Sequence, residues 1–544
     1  MKIKNFKLKI NFSSIPLMIL FLFFVFFIFY NLNWGAPFYF HPDERNIASS
    51  ISQLRFPENL NPNFFAYGSF PIYSIYLVGV IANFLSRSSN VSSVNFQDAI
   101  LISRYFSAIF SLLSVFMIYK ISKDLGGKSV ALFAFFLSIT SVAFLQFSHF
   151  GTFEMWLSFF SLLLFYSFYI FLKTKKEIFL IFGSIVLGLI IGIKLSSLVL
   201  LLIPFYSLLI LQLGKRFSFH KIKETLRLMS IISFLTIFFY FLSSPYNLID
   251  TESFINSIKY ESSVAMGTLS VFYTGSFYNT LPIFFQFQKI LPFLINPLST
   301  AISALAIIYT FFLCINKRNP YLGLLLISFL TLFIFHSFLF AKWTRYIIPS
   351  LPFLFIIISI FIVSLYKIMP KKIWLILVCL ILAFSLFFSF SFLKTVRFST
   401  DSRIEALEFA RKNIPQGSQI LSEVYDLGIT PFNSYFSNIA LFNFYELEND
   451  PSKKPELESL IKKTDYIILP SQRILKSRIA NNNNFSQGYN FYSNLLSGKL
   501  GFKKIYETPC DAFCKIAYLG NPISNVEETV NVFDRPTMFI FFKK

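Results

Sequence analysis

Long apolar stretches, each followed by a short polar or basic one, fill the first 393 residues. A helix needs about 20 apolar residues to cross a bilayer. Matching that length predicts about eleven spans. They lie near 13–31, 100–119, 129–147, 155–172, 178–194, 196–213, 228–243, 291–315, 321–339, 348–366 and 373–393. A further run at 70–85 is of borderline length, and whether it spans sets the side of every later loop. Charge arbitrates. With 70–85 read as an interfacial or re-entrant helix, the loop of Lys120, Lys123 and Lys128 is cytosolic. The same parity places Lys173-Thr174-Lys175-Lys176, Lys215-Arg216 through Arg227, Lys317-Arg318, and Lys367 with Lys371-Lys372 on that side. The opposite parity puts all of these basic loops outside, against the positive-inside rule.

The start of the chain carries Lys2, Lys4, Lys7 and Lys9 before the first apolar run. No small-x-small cleavage site follows, so the run reads as an uncleaved anchor with a cytosolic N-terminus. An odd number of spans then puts the C-terminus outside. Residues 1–393 are the membrane domain, with extracytoplasmic segments at 32–99 and 244–290.

From 394 the pattern changes. Asp401 to Ile414 places Ile404, Leu407, Ala410 and Ile414 on one helical stripe. Gln419 to Leu421, Tyr466 to Leu469, Lys504 to Tyr506 and Met538 to Phe542 are strand-sized apolar runs bounded by Pro, Gly, Asn or charge. Asn481 to Asn484 read as a loop. Residues 394–544 are enough for one small α/β domain, expected on the extracytoplasmic side.

Composition agrees. The 544 residues are 55% hydrophobic and only 14% charged, with 76 Phe, unlike a soluble globular chain. The net charge of +21 would suggest nucleic acid in a soluble protein. Here it belongs to the basic loops, and no nucleic-acid partner is expected. Four Cys are too few for a disulfide framework. Cys314 and Cys379 sit in apolar runs and read as small hydrophobes. Cys510 and Cys514 fall in the outer domain, where a disulfide is permitted and two free thiols are the alternative. A zinc site there lacks partners nearby.

Polar residues that need a reason collect on the parity-assigned outer side. They are His41, Asp43, Glu44, Asn61, Tyr67, Arg104, His149, Glu154, Lys194, Lys342 and Arg345. Charge close to a bilayer is costly and by default suggests function. Lys342 and Arg345 sit in a short outer loop against the charge rule, which makes sense if an anion docks there. Each residue also has a plain structural reading. Pro42, Asp43 and Glu44 make an ordinary helix start; Lys194 could snorkel; His149 could simply pack. Successive helix positions point about 100° apart, so Asp43 and Glu44 cannot both face one reacting atom. Chemistry is assigned to Asp43, and orientation or a second contact to Glu44.

A set of local patterns carries a resemblance. They are FHPDE, NPNFFAYGSFP, Arg104-Tyr105-Phe106-Ser107-Ala108, SHFGTFEMW, GLIIGIKLSS around Lys194, TRYIIPSLP from Thr344 to Pro352, and VFDRPTMFIFFKK. With them the chain resembles the GT-C superfamily of polyprenyl-phosphate-sugar glycosyltransferases. It is most similar to the bacterial relatives of the dolichyl-phosphate-mannose protein mannosyltransferases and the aminoarabinose transferases. The resemblance implies a general base in the first outer loop, here Asp43. It implies an acid in the second, where Asp is usual and this chain has Glu154. It also implies basic residues such as Lys194 and Arg345 on the lipid phosphate; from the outer-side set, His41, Tyr67, Arg104, His149 and Lys342 are expected as further substrate contacts. Some GT-C enzymes use a divalent ion and others do not; Asp43, Glu154 and His149 would offer a partial donor set. The donor would be a polyprenyl-phosphate-linked sugar, the acceptor a protein hydroxyl, glycan or lipid, and the location a bacterial plasma membrane. A lipid or glycan transporter would instead need charges deep in its spans and Gly/Pro-broken helices in paired halves, which the sequence does not show. A non-catalytic scaffold for the 394–544 domain would leave the acids as helix caps.

Overall fold

The computed structural model describes residues 14–87, 91–212, 219–269 and 271–544. Lys2, Lys4, Lys7, Lys9, Lys215 and Arg216 lie outside the described residues. The chain forms a helical bundle joined to a small α/β domain.

Eight helices among the described residues are long and apolar enough to cross a membrane. They include Phe96–Gly126, Glu154–Thr174, Pro297–Lys317, Pro320–Phe338, Thr344–Leu365 and Lys371–Val396. The expected spans 13–31, 129–147 and 178–194 fall instead on the shorter apolar helices Pro16–Phe29, Lys128–Ile139 and Glu177–Ile191. The count of eleven is therefore not reproduced by length and composition. The second of these breaks for a local reason. Thr140 Oγ1 donates back to Phe136 O at 2.8 Å, and the Ser141 hydroxyl accepts from Phe144 N at 3.3 Å, capping a new short helix, Val142–Phe147. The run at 70–85 forms the helix Ser69–Leu85, whose outer face leaves Leu77, Ile81, Phe84 and Leu85 exposed.

Thr344–Leu365 is the central element, nearly nine-tenths buried, while Lys371–Val396 and the helix over Lys221–Ser243 are peripheral. Exposed Phe and Leu on the peripheral helices form an apolar belt, as a lipid-facing surface requires. Two close backbone approaches pin the loops to the bundle. Gly68 N donates to Ile193 O at 2.9 Å and Phe70 N to Gly192 O at 3.1 Å. A Cβ on Gly68 would lie 1.9 Å from Gly192 O. Only glycine lets the AYGSF segment dock there.

The C-terminal domain has the helix Ser402–Asn413 and five strands. They are β1 (Ile420–Glu423), β2 (Ile439–Phe442), β3 (Tyr466–Leu469), β4 (Phe502–Glu507) and β5 (Phe539–Lys543). The sheet order is β2-β1-β3-β5-β4, with β2, β1 and β3 parallel and β5 antiparallel to its neighbours. The Ser402–Asn413 helix packs on one face through Ala406, Leu407 and Ala410. Helices Lys453–Lys463, Arg473–Ala480 and Ser486–Leu496 cover the other. Cys510 and Cys514 are joined in a disulfide beside the helix Ala512–Ala517, which packs against Lys371–Val396.

The domain is wedded to the bundle by its residues 526–535. Val526, Val530, Val532 and Phe533 belong to the same apolar core as the membrane helices. Gln146 Nε2 donates to Val530 O at 2.6 Å and to Asp534 Oδ2 at 2.9 Å. Glu527 Oε2 accepts from Thr344 N at 3.1 Å and Thr344 Oγ1 at 2.7 Å. This strap fixes the turn that carries Arg345.

Candidate active site

Pro42 opens the helix Pro42–Ser52, so Asp43 and Glu44 fall in its first turn. The two side chains diverge, as their spacing requires. Asp43 Oδ2 accepts from Arg345 Nη1, which also donates to the Tyr67 hydroxyl at 3.0 Å. Burial, the largest influence, pushes the Asp43 carboxyl up, but the Arg345 guanidinium together with His41, Arg473 and Lys194 outweighs it and holds the group below its ordinary value. Burial raises the Tyr67 hydroxyl well above its ordinary value, so it stays a neutral partner.

Arg345 lies in a short 3₁₀ turn, Thr344–Tyr346, at the start of the central helix. Its guanidinium sits 5.1 Å from the Trp343 ring centre and 5.7 Å from that of Tyr346. Lys194 occupies the bend between Glu177–Ile191 and the helical turns that start at Leu195. Its Nζ is 4.3 Å from the Tyr346 ring centre and 5.7 Å from that of Tyr67. Two cations thus share one aromatic wall. Among the described residues Lys194 makes no ion pair.

A narrow cleft is lined by Glu154, Lys194, His336, Arg345 and Tyr346. Glu154 is buried and its Oε2 has no hydrogen-bond partner among the described residues. The cleft adjoins a cavity of about 360 Å³ that shares Lys194, His336 and Tyr346 with it. Tyr67 and Glu261 add to its polar end, while Leu198, Phe254 and Met266 are among its apolar walls. Asp43 does not line this cavity; it meets the rim through Arg345 and Tyr67.

The structure brings Asp43, Tyr67, Glu154, Lys194 and Arg345 together, and it separates the other expected site residues from them. Glu44 is not near the cavity. It forms a fully buried two-pronged pair with Arg104: Nε to Oε1 at 3.0 Å and Nη2 to Oε2 at 2.6 Å. Arg104 Nη1 also donates to Leu32 O and Trp34 O, and Gly151 N donates to Glu44 Oε1 at 2.5 Å. Both expectations are corrected: this pair ties the first loop to the bundle. His149 is likewise internal, its ring nitrogens 2.9 Å from Leu145 O and 3.1 Å from Tyr30 O. It is not placed to join Asp43 and Glu154 around an ion. His41 packs between Phe150 and Phe533, with ring centres 4.8 and 4.2 Å away. Lys342 is buried and donates to Phe340 O at 3.2 Å, apart from the cavity. Asn61 Nδ2 donates to Asp250 Oδ2 at 3.0 Å and so ties the first loop to the segment before Thr251–Met266. Among the described residues no group of three or more His, Cys, Asp or Glu could hold a metal ion.

Sequence reasoning missed Tyr346 and Glu261. Tyr346 follows Arg345 in TRYIIPSLP, so an aromatic neighbour of a candidate cation was a readable signal. Glu261 sits on the helix Thr251–Met266, and nothing in its own stretch shows that this helix covers the cavity. Burial raises its carboxyl above the ordinary value.

Residues 92–241 match the family described as dolichyl-phosphate-mannose-protein mannosyltransferase. A comparison with curated protein sequences finds no match. Among solved structures, the oligosaccharyltransferase of Archaeoglobus fulgidus in its apo form is similar with a TM-score of 0.50 and 11% identity. That likeness covers 98% of this chain and 89% of the other. ArnT from Cupriavidus metallidurans bound to undecaprenyl phosphate is similar with a TM-score of 0.46 and 12% identity, over 87% of this chain and 95% of the other.

Proposed function

We propose that this chain, a membrane protein with the GT-C fold, is a glycosyltransferase. It moves a sugar from a polyprenyl-phosphate donor to a hydroxyl acceptor outside the cytoplasm, with Asp43 as general base. One observation carries the reading. Lys194 stands at the polar end of a cavity with apolar walls, Arg345 stands in the narrow cleft that adjoins it, and Asp43 is bonded to Arg345. The match of residues 92–241 to the mannosyltransferase family supports the donor class.

A prenyl chain fits the apolar walls, and its phosphate fits Lys194 and Arg345. As the bond between sugar and phosphate breaks, the sugar carbon gains positive charge and the phosphate negative charge. Fixed cations stabilise the departing phosphate more than the intact donor, which is what accelerates the step. Asp43 takes the acceptor's proton. At rest its carboxylate is occupied by Arg345. A phosphate that draws the guanidinium toward itself releases Asp43 for the acceptor, so donor binding primes the base. Glu154, with one buried oxygen unpaired, is placed to accept from the sugar or the acceptor. Were a divalent ion used, Asp43 and Glu154 would be its carboxylate donors, without His149.

Asp43→Asn keeps the size and loses the base. In the purified full-length protein it should still bind polyprenyl phosphate within about threefold of the parent. Transfer of labelled sugar from polyprenyl phosphate to envelope material should fall by about 10²-fold or more. Undiminished transfer in this variant would refute Asp43 as the base.

A further inference from the structure

The helix Thr251–Met266 carries an acid where its packing calls for an apolar residue. Asp250 caps its start by accepting from Ser253 N at 3.3 Å, and Gly267 ends it with a left-handed φ of 77°. Phe254, Ile258, Glu261 and Ala265 all line the cavity. Their spacing of four, three and four residues puts them on one helix face, and Glu261 stands in the middle of it. The other charged residues of this helix, Glu252 and Lys259, are exposed. Glu261 is half-buried, and among the described residues its carboxylate has no hydrogen-bond or ion-pair partner. A carboxylate turned inward without a partner is costly.

What it faces gives that position a use. Lys194 lines the same cavity. Arg345 lines the adjoining cleft and is taken up by Asp43. Burial raises the Glu261 carboxyl, the charges of Arg345 and Lys194 oppose that rise, and the charge of Asp43 adds to it. Glu261 is therefore within electrostatic reach of both cations that would hold the donor's phosphate, yet bonded to neither.

Transfer changes the charge of that phosphate. The donor is a phosphodiester with a single negative charge. When the bond from the sugar carbon to the phosphate oxygen breaks, its electron pair stays on the oxygen, and the acceptor's proton goes to Asp43. The prenyl phosphate left behind is a monoester, which carries about 1.5 to 2 negative charges at pH 7. Lys194 and Arg345 alone would hold this product more tightly than the substrate it came from. A fixed acid across the cavity reverses part of that preference, because repulsion scales with the charge it acts on.

We propose that Glu261 discriminates product from donor: its carboxylate repels the prenyl phosphate monoester more than the singly charged diester, and so drives release of the used carrier. The same repulsion opposes charge growing on the phosphate, so the gain lies in release and not in transfer. The inference rests on the glycosyltransferase reading and adds to it a specificity residue for the step after transfer.

Glu261→Gln keeps the size and removes the charge. Binding to the full-length protein in nanodiscs would be measured for undecaprenyl phosphate and for its methyl diester, at about pH 8, where the monoester holds its second charge. Glu261→Gln should bind undecaprenyl phosphate about tenfold tighter than the parent, and the methyl diester less than about threefold tighter. Glu261→Asp, which keeps the charge, should bind both probes within about threefold of the parent. Equal tightening of the two probes by Glu261→Gln would reveal a repacked cavity, and unchanged or weaker binding of undecaprenyl phosphate would show that the acid does not repel it; either result overturns the proposal alone. Binding of neither probe by the parent would overturn the donor reading, and this inference with it.

Discussion

Arg345 serves two partners, and that sets what its loss should do. It bridges Asp43 and Tyr67, and it is the largest of the charges that oppose the burial lifting the Asp43 carboxyl. Because the folded value is depressed, the stability from this pair is present above the ordinary carboxylate range. It is lost as pH falls through the lower folded value. In Arg345→Gln burial acts unopposed by that charge, so the acid limb of the transfer rate against pH should move to higher pH. The maximal rate should also fall about 10²-fold through the lost phosphate contact. A limb that stays in place would show that Asp43 is not the titrating base. At this scale the sequence was readable where a residue's type was costly: Asp43, Lys194 and Arg345 are charges at helix ends near apolar runs. It was unreadable where partner choice decided. Glu44 was expected to orient the site or make a second contact and Arg104 to meet the substrate, and only three-dimensional pairing shows them saturated by each other.

Among the elements, the docking of the AYGSF segment on the bend before Lys194 matters most. It places Tyr67 beside Lys194, and it depends on Gly68 and Gly192 lying back to back. A methyl at Gly68 meets backbone 1.9 Å away, so neighbouring backbone must move rather than a flexible side chain. Gly68→Ala should therefore destabilise the chain by about 1–3 kcal/mol. Polyprenyl-phosphate affinity should drop as well, and a thermal-shift assay read beside a binding assay would separate the two effects. Equal melting and equal affinity would contradict the geometry. Helix positions were legible because burial in lipid imposes a length. The break at Thr140–Ser141 was not, since an apolar run hides a hydroxyl that turns back on its own helix. In the C-terminal domain β1, β3, β4 and β5 were anticipated, but β2 was missed. It is an edge strand of four residues, IALF, with Leu441 exposed, so it carries no alternation.

For the whole molecule, the strap of residues 526–535 couples the α/β domain to the end of the bundle that carries Arg345. Glu527→Ala leaves Thr344 N and Oγ1 buried without their acceptor. The expected cost is about 1–3 kcal/mol, seen as a lower melting temperature. Transfer should fall further than melting alone accounts for, because the Arg345 turn loses its tether; Glu527→Gln, which keeps one acceptor oxygen, should recover part of both. A Glu527→Ala protein with full transfer activity would mean that the turn holds itself. The VFDRPTMFIFFKK ending was visible as a pattern in the sequence, yet its role as a tie was not. The contacts it makes, to Gln146 and Thr344, lie hundreds of residues upstream.

That separation along the chain has a consequence for biosynthesis. The turn bearing Arg345 leaves the ribosome long before Glu527 exists to brace it, and β5 must still be slotted between β3 and β4. The nascent protein therefore resides in the bilayer with its Arg345 turn unbraced until more than five hundred residues have been made. Stalled or truncated chains should be inserted yet inert, because their Arg345 turn has no brace.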